Sequence, residues 1–458
     1  MLLVLAKVLA PAEFGILAIA ALAYNILSAI NELGTADALT YLPDGVEEAA
    51  RTALSLVIAT GLALMALTWV SAPTIASFFH SPHAIFVIRG FAVCLPFDAS
   101  AQVPIGRLTR ALDFRRRAAT DSLPSIFGGL VTIAVVAGGY PLGGLVAGQI
   151  AGAVANTVIA FLLGPRCLPG WDPVLARRLL KYGGYLTAAD LVNLGLLNVD
   201  YIVVGHILGP VALGLYSLAY RICYMPYLAI SVVANGAAFP YYCRLPSREA
   251  VGRASENAIS LINAVVIPWF AGLVLFAGHI IILGSKWEPA VGAVRLLAVY
   301  GFFLSLILSV LQVLKAVGHA NLVFAGRGLH LVTLAAVLTG TARAGITVVA
   351  LDQALVAMMV AAVTCMWAVR YASVQFRALC RSVGLPLLGV AGMIPVVFLA
   401  GLIPGLDTIP SLISLLIPAS LAMIVFAGIL LAVMPGPLQE GWAALRGRQQ
   451  LRRAGSAA

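Results

Sequence analysis

Stretches of 20 to 26 almost uncharged apolar residues recur along the whole 458-residue chain, and this recurrence restricts its fold more than any other feature. They fall near 14–34, 53–77, 84–106, 120–139, 141–164, 184–207, 212–235, 258–283, 291–314, 321–341, 346–369, 384–404 and 410–434, with a shorter run at 2–11. A helix that crosses a bilayer needs ~20 such residues and a barrel strand only ~10. Inside lipid every backbone N–H and C=O must find a partner within the protein, so these runs are expected to be helices. Hydrophobic residues make up 62% of the chain and charged residues 10%, against about 25% charged in an ordinary soluble domain. There is too little polar surface to solvate a globule of this size. The expected fold class is therefore all-α integral membrane, with about fourteen transmembrane helices. The run at 2–11 is half a span long and has no basic region before it, so it reads as the end of a first helix whose amino-terminal turns are missing from this chain, not as a signal peptide.

The formal charge of +10 invites a nucleic-acid reading, but the cations sit between apolar runs rather than on a polar domain. Taking the intervening loops alternately, one set together with the tail holds 22 Lys and Arg, including Arg51, Arg107, Arg110, Arg115, Arg116, Arg117, Arg177, Arg178, Arg327 and Arg453. The other set holds Lys286 and Arg343. Positive loops stay in the cytoplasm, so both termini are expected there, in a bacterial cytoplasmic (inner) membrane. One miscounted span would scramble this alternation.

An internal repeat runs through the first twelve segments. Leu9-Ala10-Pro11 followed by Gly15 matches Leu208-Gly209-Pro210 followed by Gly214, and Arg89 with Ala92-Val93 and Phe97 matches Arg295 with Ala298-Val299 and Phe303. Six spans per copy give both copies one orientation, as in parallel-repeat transporters. The expected organisation is a six-helix lobe at 1–165, a linker at 166–182, a second six-helix lobe at 183–370, two further helices at 384–434 and a basic tail at 435–458.

Polar residues inside spans mark the candidate site. On segment 7, Asp190, Asn193, Asn198 and Asp200 share one helical face, and an ionised residue facing lipid would cost at least ~2.5 kcal/mol. They are expected to face a cavity or to tie helices together. Segment 8 carries Tyr216, Ser217, Tyr220, Arg221, Tyr224, Tyr227 and Ser231 on one arc. Arg221 lies too deep to snorkel easily and at the depth of Asp200, so the two are expected to pair or to open into an anion site. A guanidinium holds phosphate oxygens bidentately, and tyrosines offer flat faces with a polar tip. Simple packing is the alternative for the tyrosines. Arg89 and Arg295 begin segments 4 and 10, where snorkelling competes with a cavity role. Asp98 and Gln102 share a face at i, i+4 and are further candidates. His80, His83, His206 and His279 fall near the outer face and read as solvated.

Several classes of chemistry lack their residues. There is no GxxxxGK[ST] loop, since Gly284-Ser285-Lys286 has no upstream glycine frame. The six cysteines form no CxxC pair, no zinc site is indicated, and no metal or other cofactor is expected. No outward loop exceeds about ten residues, too little to house an outward-facing glycan ligase. These observations point to a transporter rather than an enzyme.

Leu9 to Gly15, Ala111-Leu112-Asp113-Phe114-Arg115-Arg116, Tyr182 to Thr187, Leu208 to Arg221, and Lys286-Trp287-Glu288-Pro289-Ala290 followed by Leu296-Leu297-Ala298 together resemble bacterial polysaccharide-biosynthesis flippases. These belong to the multidrug/oligosaccharidyl-lipid/polysaccharide flippase superfamily. The resemblance runs from residue 5 to about 320. It implies two six-helix lobes around a central cavity, with helices 13 and 14 outside them, and export of polyprenyl-pyrophosphate-linked oligosaccharide from the inner to the outer leaflet by alternating access. The implied partners are the lipid-linked glycan, membrane lipids, and glycosyltransferases or a polymerase of the same pathway, with no nucleic acid. An ion-coupled multidrug or small-cation antiporter, using Asp200 or Asp98, is the alternative. A non-transporting scaffold in glycan assembly is a third.

The topology has a direct test. A cysteine placed near Arg115 should be labelled only from the cytoplasm, and one near Ser285 only from outside. Labelling of both from the same side, in a background without native cysteines, would overturn the orientation and the segment count together.

Overall fold

The computed structural model describes residues 2–32, 34, 35, 39, 45–111, 113–401 and 411–433; side chains at 2, 3, 182, 185, 186, 188–190, 192, 193, 196, 400, 401 and 411–415 are not described. The predicted tail at 435–458 lies outside the described residues. Among those described, every regular element is a helix. In order they are α1 (Leu2–Val8), α2 (Pro11–Glu32), α3 (Val46–Phe78), α4 (Ala84–Ala92), α5 (Cys94–Arg110), α6 (Phe114–Ala137), α7 (Pro141–Leu163) and α8 (Pro173–Pro226). A π-helical turn at Tyr227–Val232 leads into α9 (Val233–Tyr242) and α10 (Arg248–Leu275). After 3-10 turns at Ala277–Leu283 and Ser285–Ala290 come α11 (Val291–Ala316), α12 (Ala320–Thr341), α13 (Ile346–Tyr371), α14 (Phe376–Gly401) and α15 (Ser411–Val433).

Each of the fourteen apolar runs overlaps these helices where its residues are described, so the all-helical membrane reading holds. By length and apolarity, 11 helical stretches of the described residues can cross a bilayer, and the difference from fourteen has definite causes. Runs 7 and 8 are joined across Gly209 and register as one 46-residue stretch, Leu197–Tyr242. The apolar part of α15, Leu416–Ala432, is a little short, and α1 has only 7 residues. Helices also begin earlier than hydropathy suggests. The predicted linker 166–182 is helical from Pro173 onward, because Asp172 accepts hydrogen bonds from the Val174 and Leu175 amides at 2.8 and 3.1 Å and proline suits the first helical position.

The chain divides into two compact units, Met1–Ser217 and Leu218–Ala458. In the first, α6 and α7 approach so closely that a Cβ on Gly148 would meet the Thr132 hydroxyl at 1.7 Å and one on Gly128 the Gly148 carbonyl at 2.7 Å. Small residues allow such contact where lipid gives no hydrophobic drive for helix association. Polar ties join other helices. Asn31 of α2 donates to the Leu95 carbonyl of α5 at 2.8 Å and accepts from Thr60 of α3 at 2.9 Å. Ala50, Ala53, Leu54 and Val57 of α3 pack with Ala99 and Val103 of α5 and Leu179 of α8.

The two copies of the Pro–Gly repeat meet in this unit. Gly209 takes φ 81 and ψ −178, which interrupts α8 and turns the chain back at Pro210; the first copy turns at Ala10, whose amide donates to Glu13 Oε2 at 2.8 Å. A Cβ on Gly15 would lie 1.8 Å from the Pro210 carbonyl oxygen, and one on Gly214 would lie 1.7 Å from that of Pro11. Each copy's glycine thus receives the other copy's proline carbonyl. The reciprocity is that of a local two-fold.

In the second unit α11 packs against α10 and α13. Ser231 donates to Ser305 at 2.8 Å and Asn235 to Ser309 at 3.0 Å, tying the π turn and α9 to α11. Asn263 of α10 donates to Ser382 of α14 at 3.2 Å. Ala264, Met393, Ala422, Phe426 and Leu430 bring α10, α14 and α15 together.

Gly15→Ala and Gly214→Ala should each destabilise the protein by about 1–3 kcal/mol, the usual cost of forcing atoms into a filled space. Gly272→Ala, where nothing lies within 4 Å of the new Cβ, is the control. Thermal unfolding in detergent compares the three. Equal midpoints would show that the turn contact is not tight.

Candidate functional site

Tyr220, Tyr224 and Tyr227 recur at i, i+4 and i+7, so helical geometry puts them on one face. In the second unit their rings form a continuous ladder. Tyr220 stacks on Tyr224 with centroids 5.4 Å apart and 23° between planes, and Tyr224 meets Tyr227 at 5.1 Å and 35°. Two helices extend it: Tyr300 of α11 lies 6.2 Å from Tyr220, and His330 of α12 sits edge-on to Tyr300 at 6.4 Å. Tyr220, Tyr300 and His330 are buried, whereas Tyr224 and Tyr227 are half-buried. The rings are packed together with no room for water between Tyr220, Tyr224, Tyr300 and Gly301. They form a wall rather than a hollow. Below it the helix widens into the π turn at Tyr227–Val232, a distortion that is frequent at functional sites because it re-aims side chains.

Two arginines belong to this neighbourhood. Arg221, next to Tyr220 in sequence, is half-buried. Arg327 was counted above with the basic loops; it lies instead inside α12, exposed, with its charge within electrostatic reach of the Tyr227 hydroxyl.

The other candidates lie in the first unit or apart from the ladder. Asp200 is only 1% exposed. Its carboxylate accepts from the Tyr216 hydroxyl at 2.7 Å and from the Tyr201 amide at 2.9 Å. Asn198, on the same face in sequence, donates to the Leu194 carbonyl of its own helix at 2.8 Å. The side chains of Asn193 and Asp190 lie outside the described residues. Asp98 accepts from Asn156 of α7 at 3.0 Å and, through its other oxygen, from the Tyr24 hydroxyl of α2. Gln102, one turn on, is half-buried. Arg89 is clipped to Trp69: its Nε donates to the Trp69 carbonyl, the Trp69 indole donates to the Arg89 carbonyl, both at 3.2 Å, and the guanidinium lies 5.8 Å from the indole centroid. Its repeat counterpart Arg295 is exposed. The two arginines that match in sequence therefore have unequal surroundings.

His206 stacks on Phe78 at 4.2 Å and its Nδ1 lies 2.7 Å from the Phe78 carbonyl; His80 is 5.7 Å away. Among the described residues no group of three or more His, Cys, Asp or Glu is arranged to hold a metal. The six cysteines are free. In the loop after α7, burial pushes the Cys167 thiol up, which leaves it a poor nucleophile.

Sequence reasoning missed several partners. Tyr24 and Asn156 complete the Asp98 cluster, Tyr300 and His330 extend the ladder, and Asp352, 6% exposed, accepts from Thr341 across α12 and α13 at 2.5 Å. Each is a polar residue within an apolar run. That signal was available, but only tertiary contact pairs Tyr24 with Asp98 across 74 positions.

Chemically, the second unit offers stacked aromatic rings with arginines on the same helices, and the first offers carboxylates already supplied with donors. The first arrangement suits an anion carrying flat, partly apolar rings; the second suits helix ties or a protonatable group.

A profile of the family described as "Polysaccharide biosynthesis protein" matches residues 4–292. The teichuronic acid biosynthesis protein TuaB of Bacillus subtilis is 27% identical over 303 residues, covering 64% of this chain and 62% of that protein. The succinoglycan biosynthesis transport protein ExoT of Rhizobium meliloti is 24% identical over 333 residues, covering 70% and 66%. The chain thus spans somewhat less than two thirds of the length of these relatives. Among solved structures, the inward closed conformation of the lipid II flippase MurJ superposes with a TM-score of 0.73 at 14% identity, covering 94% of this chain and 96% of that one. An inward-facing multidrug resistance MATE transporter superposes at 0.62 and 16% identity, covering 81% and 93%. These likenesses establish the fold.

Tyr216→Phe removes a donor from a carboxylate that is nearly inaccessible to water. A loss of about 1–3 kcal/mol is expected, the cost of leaving such a group short of a partner. Tyr241→Phe, at an exposed ring, should cost little. Chemical or thermal unfolding in detergent measures both, and an unchanged Tyr216→Phe would mean that Asp200 does not depend on this bond.

Proposed function

Because the chain belongs to the polysaccharide biosynthesis protein family, we propose that it is a flippase carrying polyprenyl-pyrophosphate-linked oligosaccharide from the inner to the outer leaflet of a bacterial cytoplasmic membrane. The observation that carries this reading is the Tyr220–Tyr224–Tyr227 ladder, with the half-buried Arg221 next to Tyr220 in sequence. A pyrophosphate crossing hydrocarbon unaided would pay the full cost of losing its water. A fixed guanidinium returns part of that cost, and ring faces take up the partly apolar faces of sugars. Alternating access between lobes at 1–165 and 183–370, with the clustered loop cations on the cytoplasmic side, moves the head group while the lipid tail stays in the bilayer. In this reading glycosyltransferases supply the glycan and a polymerase or ligase consumes it outside. A second reading, an ion-coupled antiporter, rests on the Asp98 cluster with Tyr24 and Asn156, since a buried carboxylate bound by neutral donors can take up a proton or cation.

The test separates gripping from neutralising. If Arg221 grips pyrophosphate, Arg221→Ala abolishes glycan export while the protein remains inserted and abundant. Arg221→Lys keeps part of it, since charge survives but the bidentate fork does not. If Arg221 only balances Asp200, the double change Asp200→Asn with Arg221→Gln restores export, because no unpaired charge remains. A leaflet-specific glycan assay reads the result. Restored export in the double variant would remove Arg221 from the binding machinery.

A further inference from the structure

Beside the glycine contact of the first unit, α6 and α7 leave an open groove of about 800 Å³ between them. Every side chain that lines it is apolar; Leu123, Phe127 and Leu130 belong to the α6 wall, and Ala147, Ala151 and Ile159 to α7. The α7 wall offers only methyl groups at Ala147 and Ala151, which keeps the groove open. Leu123 and Leu130 lie roughly 14 and 24 Å from the start of α6 at Phe114, at a helix rise of 1.5 Å per residue. Ile159 and Ala147 lie roughly 6 and 24 Å from the end of α7 at Leu163. Those two helix ends are on one side of the membrane. The groove therefore begins just inside that surface and passes the midplane, ~15 Å from either edge of a ~30 Å hydrocarbon core.

The end it begins from is basic. Arg116 falls on the helical face of Leu123 and Leu130, each two turns farther along α6. Its Nη1 donates to the Leu163 carbonyl at 3.4 Å, so the guanidinium reaches from the first turn of one wall to the last turn of the other. It also meets the Asp113 carboxylate at 3.4 Å, yet its side chain remains 60% exposed. Arg115 beside it is exposed, and Arg117 is taken up by Asp121 at 3.2 Å. Around this end Arg107, Arg110, Arg115, Arg116, Arg117 and Arg166 outnumber Asp113 and Asp121. The turn at 138–140, at the opposite end of both helices, carries no charge.

An apolar groove with cations at one end only is complementary to an anionic lipid lying along it. Its length selects among such lipids. An acyl chain of one leaflet ends at the midplane, whereas a chain that enters at the basic end must continue past it to fill the groove. We propose that the α6–α7 groove holds the polyprenyl chain of the lipid carrier, with the carrier's diphosphate at Arg115 and Arg116. The inference rests on the flippase reading and adds to it a docking place for the tail, separate from Arg221. A chain already laid across the midplane stays in hydrocarbon whichever surface its head group occupies.

Photolabelling tests this, using a diazirine-bearing undecaprenyl diphosphate with the purified full-length chain in lipid nanodiscs. Peptides of α6 and α7 should carry the label. Excess unlabelled undecaprenyl diphosphate should suppress it, while the same excess of phosphatidylglycerol or farnesyl diphosphate should not. Ala151→Phe, which fills the groove, should abolish the specific label. Arg116→Gln should weaken probe binding by about tenfold, the usual effect of losing a hydrogen bond to a charged group, and Arg116→Lys should recover part. Val332→Phe, at an exposed site on α12, should change nothing, and the thermal midpoint of each variant guards against misfolding. Suppression by phosphatidylglycerol would make the groove a seat for ordinary membrane lipid, and suppression by farnesyl diphosphate would show that chain length is not read; either overturns the proposal. Full labelling of Ala151→Phe, or label confined to other helices, overturns it and leaves the flippase reading standing. If no part of the chain is labelled specifically, the flippase reading fails and this inference with it.

Discussion

The interior of a bilayer offers no hydrogen-bond partner, and this one constraint accounts for most of how the chain is assembled. Helices satisfy their own backbones, so what remains to be settled is the polar side chains. Those of this chain are settled in pairs across helices: Asn31 with Thr60 and the Leu95 carbonyl, Asp98 with Tyr24 and Asn156, Asp200 with Tyr216, Ser231 with Ser305, Asn235 with Ser309, Asp352 with Thr341. Such bonds contribute about 0.6 to 2 kcal/mol each in a membrane. They do more for register than for total stability, because a helix rotated by one residue would point a carboxylate at lipid.

Close packing supplies what hydrophobic drive cannot. Between α6 and α7 it comes from glycines facing Thr132 and one another's backbone. At the Pro–Gly turns it comes from Gly15 and Gly214, each holding the other copy's proline carbonyl. Any side chain at either glycine would meet the other turn's proline carbonyl.

The polar face of α8 shows how tertiary structure divides what one helix presents together. Tyr216 turns to Asp200, Ser231 to Ser305, and the three tyrosines between them stack in a row that α11 and α12 extend with Tyr300 and His330. Two of these groups are helix ties. The middle group is a stack of aromatic rings, buried at Tyr220 and half-buried at Tyr224 and Tyr227.

Fold class, the apolar runs and the clustering of cations on alternate loops were legible in the sequence, because a bilayer sorts residues by period and polarity alone and leaves a one-dimensional record. So were the two turns, which depend on local proline and glycine geometry at Pro11, Gly15, Gly209, Pro210 and Gly214. The helical start at Pro173 was missed because capping by Asp172 extends a helix past its apolar stretch. The partners of the polar residues were not legible at all. Arg89 and Arg295 match in sequence, yet one is clipped to Trp69 and the other is exposed; Arg327 reads as a loop cation, whereas it lies inside α12. Sequence by itself determined that this chain is a helical membrane protein. Only the tertiary structure decided which polar side chains hold helices together, because that depends on contacts between residues far apart in the chain, where hydropathy and spacing carry no record.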